Sequence, residues 1–151
     1  MADSVPPSVR SRMMSGIKAK NTRPEMVLRR GLHAAGFRYR LHVEDLPGKP
    51  DLVFPSRRAV IFAHGCFWHG HNCPLFVWPK TRPDWWRAKI ARNREVDASA
   101  VRVLTSAGWR IGVVWECSFK GPRRLPIESV IESCADWLRS GANSLEIRGL
   151  E

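Results

Sequence analysis

An α/β fold, a central mixed sheet flanked by helices, is predicted by three features of this chain. Its 151 residues are 44% hydrophobic, enough for one domain with a sizeable core. Its patterning runs in the order helix, several short strands, helix, strand, helix, which suits helices layered on a sheet. No internal repeat and no second domain is visible, so the elements are expected in one unit.

Residues 1–20 read as a basic amino-terminal arm. Pro6-Pro7 disfavours regular structure over 1–9, and Met13, Met14 and Ile17 are spaced for a helix face in 10–20. The main domain spans 21–140. Thr22-Arg23-Pro24-Glu25 is a helix start: Thr22 can cap, Pro24 suits the first turn, and Glu25 completes a capping box. A helix over about 23–35 follows, carrying Leu28 and Leu32 and stopped by Gly36. FRYRLHV alternates like a strand, LPGKP makes a turn, and DLVF and AVIFAH supply two short apolar strands. Pro83 to about Ala107 is helical and ends at Gly108. Arg110 to Glu116 forms another strand, and Pro126 opens a last helix running to about Arg139. Residues 141–151 are left as a carboxyl-terminal tail.

The formal charge of +11 and pI near 10.5 point to a polyanionic partner, and the charge is segregated. Residues 1–30 hold seven Lys/Arg against Asp3 and Glu25, and residues 80–94 hold six against Asp84. Residues 126–151 are net acidic, as expected if one face meets a phosphate backbone. No apolar run approaches the roughly 18 residues that span a bilayer, and MADSVPPSVR lacks the apolar centre of a signal peptide. The chain therefore reads as soluble and intracellular.

The stretch FAHGCFWHGHNC, Phe62 to Cys73, concentrates three histidines and two cysteines beyond what core packing requires. Cys66, His71 and Cys73 are spaced C-x4-H-x-C, so a tight loop can bring two thiolates and an imidazole onto one tetrahedral ion. Cys117 is the best fourth ligand, because it ends the apolar run IGVVWEC, whose exit lies beside the loop if the two strands are neighbours. Cys3His is a closed, structural zinc set, and short Cys/His spacing in a chain without a secretory signal favours metal over disulfides. Cys134, in a helical pattern near Ile131 and Trp137, is read as buried packing. His64 and His69 are left over beside this loop. Either they perform acid/base chemistry near neutral pH, or His64 caps a strand and His69 points to solvent. Asp51 opens a strand after Gly48-Lys49-Pro50, where its carboxylate would emerge beside Ala63 and His64. There it suits a hydrated Mg2+ ion, although the local spacing fits a turn residue better.

Pro50-Asp51, AVIFAH, HGCFWHGHNC, the helix start around Trp86 and VWEC, in that order, resemble the very short patch repair (Vsr-type) DNA mismatch endonucleases. GCFWH followed by H-x-C and a later WEC carries the resemblance, which runs from the basic amino-terminal segment to about Trp137. It implies a restriction-endonuclease-like fold with a structural zinc site. It also implies a cytoplasmic bacterial enzyme, associated with the nucleoid, that nicks one strand 5′ of the thymine in a T·G mismatch arising from deaminated 5-methylcytosine. Asp51 would bind catalytic Mg2+, with the backbone carbonyl of Ala63 as a further ligand. His69 would act as general acid/base, His64 would support the metal-water cluster and scissile phosphate, and Glu25 would orient the group. Cys66, His71, Cys73 and Cys117 match the zinc set of the family.

Phe67, Trp68 and Trp86 match aromatics that wedge into the duplex, Lys89 and Asn93 match positions reading the mismatched pair, and Met14 is placed in the minor groove. Core packing is the competing reading for these aromatics, and it fits Trp109, Trp115 and Trp137 better. Phe-Ala-His stands where general nucleases of this fold carry an acidic residue, a spacer and Lys, so the chemistry implied is a histidine-based variant. Ala63 replaces an expected Thr, and Gly70 occupies a position that would suit His. The implied partner is double-stranded DNA, with mismatch-repair proteins alongside and the enzyme acting as a monomer. Two other classes use the same features: a zinc-stabilised DNA-binding module without catalysis, and a dimeric nuclease cutting both strands.

Overall fold

A computed structural model of the chain describes residues 22–151, so the basic arm and Met14 lie outside the described residues. Strands β1 (Arg40–Leu41), β2 (Leu52–Phe54), β3 (Ala59–His64), β4 (Arg110–Trp115) and β5 (Ser144–Ile147) form one mixed sheet in that order. β1–β2 and β2–β3 are antiparallel, whereas β3–β4 and β4–β5 are parallel. The helices are α1 (Arg23–Ala34), α2 (Pro83–Ser106) and α3 (Ile127–Arg139).

Strand periodicity assigns the two faces. Leu52, Phe54, Ala59, Ile61 and Val114 pack with Leu28 and Leu32 of α1 and with Val130, Cys134 and Leu138 of α3. Val53, Val60, Phe62 and Ile111 pack on the other face with Leu104 of α2. Cys134 is fully buried, as its helical pattern indicated. Two glycines allow close approach. At Gly31 a Cβ would lie 2.4 Å from Ile131 Cδ1, so glycine lets α1 settle on α3. At Gly112 it would lie 3.1 Å from the Trp137 ring, which covers the strand. The Arg110 guanidinium gathers the carbonyls of Trp137, Leu138 and Ser140 at the end of α3, where the helix dipole favours a cation.

Three expectations are corrected. FRYRLHV is a strand only over Arg40–Leu41, because His42 turns into the left-handed region (φ 48°) and leaves the ladder. Thr22 makes no side-chain capping bond; Glu25 is instead buried and turned toward His42, so the capping box does not form. The segment expected as a tail supplies β5, pairing Ser144–Ile147 with Ile111–Val114 of β4. No helix among the described residues is long and apolar enough to cross a membrane.

Candidate active site and metal centre

Because β3 and β4 run parallel, their carboxyl ends emerge side by side, with His64 opposite Trp115. The loops that follow carry the ligand residues, so Cys66 and Cys117 meet although 51 positions separate them. The strand adjacency on which Cys117 depended is present. Ligand atoms of Cys66, His71, Cys73 and Cys117 all lie within 4.8 Å of one another. His71 Nδ1 is 3.5 Å from Cys66 Sγ and 3.6 Å from Cys117 Sγ. Backbone N–H groups supply the outer contacts: Cys117 N donates to Cys66 Sγ and Gly149 N to Cys117 Sγ, each at 3.3 Å. Burial, and then the neighbouring Cys117 and Cys73 thiols, push the Cys66 thiol well above its ordinary range. Burial and then Arg148 lower the His71 pKa, favouring the neutral ring that binds metals. Soft thiolates and a neutral imidazole at this spacing can hold one metal ion. Trp115, expected in the core, instead stacks on the His71 ring at 3.9 Å and 8°.

The second cluster lies in an adjoining cleft of about 810 Å³. β2 is antiparallel to β3, so the start of β2 brings Asp51 beside the end of β3, and Ala63 N donates to Asp51 Oδ2 at 2.7 Å. Burial raises the Asp51 pKa to about 6; the Ala63 N–H opposes this rise and the Glu25 carboxylate adds to it. Glu25 Oε2 meets His42 Nε2 at 2.8 Å. On the α2 face of the sheet, the His64 and His69 rings lie 3.9 Å apart, and His69 Nδ1 contacts Asp97 Oδ2. Burial, reinforced by His69, lowers the His64 pKa to about 3, so His64 is a neutral ring at physiological pH. Asp51, Ala63, His64 and His69 thus share one cleft, and Glu25 reaches Asp51 from α1. His69 contacts Asp97 rather than simply pointing to solvent, and His64 packs against the rings of Phe62, His69 and Trp115.

Sequence reasoning missed Asp97 and His42. Asp97 had a signal: Trp86, Ile90, Asn93, Asp97, Ala100 and Leu104 recur at helical spacing, and a carboxylate on that inward stripe asks for a partner. His42 had none, since it fell in an expected strand. Phe67, Trp68 and Trp86 form a triangle of half-buried rings with centroids 5.2–5.8 Å apart, of which Phe67 and Trp68 line the cleft. Lys89 is exposed on α2. Asn93 Nδ2 donates to Trp68 O at 2.8 Å, so its amide holds the aromatic loop against the helix. Gly70 adopts φ 59°, and a Cβ there would sit 2.6 Å from Ile90, which suits glycine.

Residues 2–75 match the family described as DNA mismatch endonuclease Vsr. Over 147 residues, 97% of this chain and 94% of the relative, the sequence is 39% identical to the DNA mismatch endonuclease Vsr of Escherichia coli (strain K12). This chain belongs to the Vsr family of DNA mismatch endonucleases. Type II nicking enzymes are also similar. V.XorIIP of Xanthomonas oryzae pv. oryzae is 51% identical over 117 residues, 78% of this chain and 86% of that protein. V.NmeAIP of Neisseria meningitidis serogroup A is 42% identical over 120 residues, 80% of this chain and 86% of that protein. The Vsr-family chain is a DNA nicking endonuclease.

Proposed function

We propose that this Vsr-family enzyme nicks one strand 5′ of the thymine in T·G mismatches left by deaminated 5-methylcytosine, with Mg2+ as catalytic cofactor, in very short patch repair. The observation that carries this reading is the shared cleft: the Asp51–Ala63 pair and the His64–His69–Asp97 group lie together beside the three-ring triangle. The hard oxygen donors fit Mg2+, with Asp51 and the Ala63 carbonyl as its protein ligands. Held there, the ion would supply polarisation of the scissile phosphate and a coordinated water of lowered pKa. Asp97 accepts a hydrogen bond from His69 Nδ1–H, the tautomer that presents Nε2 to take or relay the proton of the attacking water. Neutral His64, stacked on His69, offers one donor and one acceptor to the phosphate and its waters. Glu25, buried at the start of α1, orients Asp51.

Phe67, Trp68 and Trp86 act as the wedge, since stacking on splayed bases offsets the cost of unstacking them. Lys89 reaches the mismatched pair from the exposed side of α2 and Asn93 from beside the aromatic loop that it holds, with Met14 of the arm entering the minor groove. Cys66, His71, Cys73 and Cys117 hold a structural zinc ion, the metal that suits a closed Cys3His set. The enzyme acts as a monomer on double-stranded DNA in the bacterial cytoplasm, at the nucleoid, where mismatch-repair proteins act alongside it.

The test is a nicking assay with Mg2+ on duplexes carrying C·G or T·G at the second position of a CCWGG-type site, and T·G elsewhere. A nick confined to the thymine strand of the mismatch is expected. Folded, zinc-containing protein that leaves every mismatch intact would favour a pure binding module. Cutting both strands of the matched duplex would favour a restriction enzyme.

A further inference from the structure

His42 is unused by the mechanism above, yet its ring enters the cleft that the mechanism occupies. The left-handed turn at φ 48° carries it there, with its N–H on the Asp51 carbonyl oxygen at 3.3 Å. Ligand atoms of Glu25, His42 and Asp51 lie within 4.8 Å of one another. Glu25 is fully buried, and Asp51 lies within hydrogen-bond reach of it, so two carboxylates share a poorly solvated corner with one imidazole. Glu25 Oε2 and His42 Nε2 stand 2.8 Å apart. Adjacent donors on an octahedral ion with bonds of about 2.1 Å are separated by about 3 Å, so this spacing suits a shared cation as well as a shared proton. Asp51 reaches Ala63 on its other side, which places it between two candidate positions.

Resting on the reading of Asp51 as a Mg2+ ligand, we propose that Glu25, His42 and Asp51 form a second cation position whose imidazole donor selects Mn2+ over Mg2+. The chemistry follows from the donor set. Mg2+ is held by oxygens and keeps its waters, whereas a mixed carboxylate and imidazole set raises affinity for later divalent ions. Entry of the cation requires the hydrogen between Glu25 Oε2 and His42 Nε2 to move, to Nδ1 of the ring or to solvent. Glu25 and Asp51 together match the charge of one divalent ion, whereas a single imidazolium would offset only one of them, and the Arg29 guanidinium stands 3.5 Å from Glu25 Oε2.

The test uses the full chain with its zinc site loaded, titrated with Mn2+ alone and with competing Mg2+, and read by pulsed EPR for nitrogen coupling to Mn2+. Wild type should show directly bound nitrogen. His42→Asn, chosen because Asn accepts left-handed backbone, should lose it, and its preference for Mn2+ over Mg2+ should fall about tenfold. His42→Gln is the second variant, and retained zinc content and thermal midpoint show that each is folded. Absence of nitrogen coupling in wild type overturns the proposal. So does coupling that persists in the folded His42 variants, which would assign it to His64 or His69. Asp51→Asn separates the two readings. If it still nicks with either cation, the Asp51 assignment itself fails; if it does not nick while His42→Asn binds Mn2+ as wild type does, only the second position fails.

Discussion

Asp51 sits where burial and function oppose each other. A carboxyl whose pKa rises on folding from its ordinary value to about 6 binds more protons in the native state, so stability falls as pH rises between about 4 and 6. The effect is about 3 kcal/mol in protein without added Mg2+. Asp51→Asn removes this cost and keeps an acceptor for the Ala63 N–H. The variant should therefore melt higher than wild type at pH 7.5, melt near it at pH 4, and show no nicking. Equal melting at both pH values would mean that burial of Asp51 is not destabilising, and retained nicking would reject its role. Asp97→Asn tests a different function. An Asn amide can donate to His69 Nδ1, stabilising the tautomer whose Nε2 carries the proton. Single-turnover nicking should fall by roughly 10²-fold or more while mismatch binding, followed by gel shift, stays within a few-fold. Loss of binding in parallel with rate would assign Asp97 to holding α2 and its loop in place.

At the scale of elements, strands marked by unbroken apolar runs were legible, since β2, β3 and β4 are buried on both faces. β5 was not, because SLEI is a short edge strand in which only Ile147 is buried, and its sequence carries too little apolar signal. β1 ended early for a local reason, the turn at His42. The clustering of Cys66, His71 and Cys73 was legible from spacing, and parallel pairing of β3 and β4 brought Cys117 to them. Asp97 was hidden because charge counting treats α2 as a basic surface, although its inward stripe contains two polar residues, Asn93 and Asp97. The chain after β5 also closes the metal centre. A Cβ at Gly149 would stand 2.6 Å from the carbonyl oxygens of both Cys117 and Arg123, backbone atoms that cannot rotate away. Gly149→Ala should therefore displace the N–H that reaches Cys117 Sγ, costing about 1–3 kcal/mol and accelerating zinc loss to a chelator. Gly141→Ala, with nothing within 4 Å, is the matched control. Equal zinc release from the two would show that the segment yields without disturbing the site.

For the molecule as a whole, the question is why a Cys/His set that could hold a structural metal lies beside the proposed catalytic groups. The segment from Cys66 to Cys73 interleaves both kinds of residue: Cys66, His71 and Cys73 face the metal centre, while Phe67, Trp68 and His69 face the cleft. Asn93 and Arg94 of α2 hold the loop through the carbonyls of Trp68, His69 and Gly70, and Glu116 accepts the Cys66 N–H at 3.2 Å. These bonds fix the loop at one side, and the proposed zinc ion would fix it at the other. The apolar clusters on both sheet faces are built mainly from residues outside that segment, so they do not depend on it directly. Removing zinc should therefore abolish nicking and mismatch binding together, lower the thermal midpoint, and leave most of the far-ultraviolet dichroism, with recovery on adding zinc back. Cys66→Ser should reproduce the loss without recovery. Nicking that survives stoichiometric zinc removal would show that α2 alone holds the loop, whereas complete unfolding would make the metal a condition of the entire sheet.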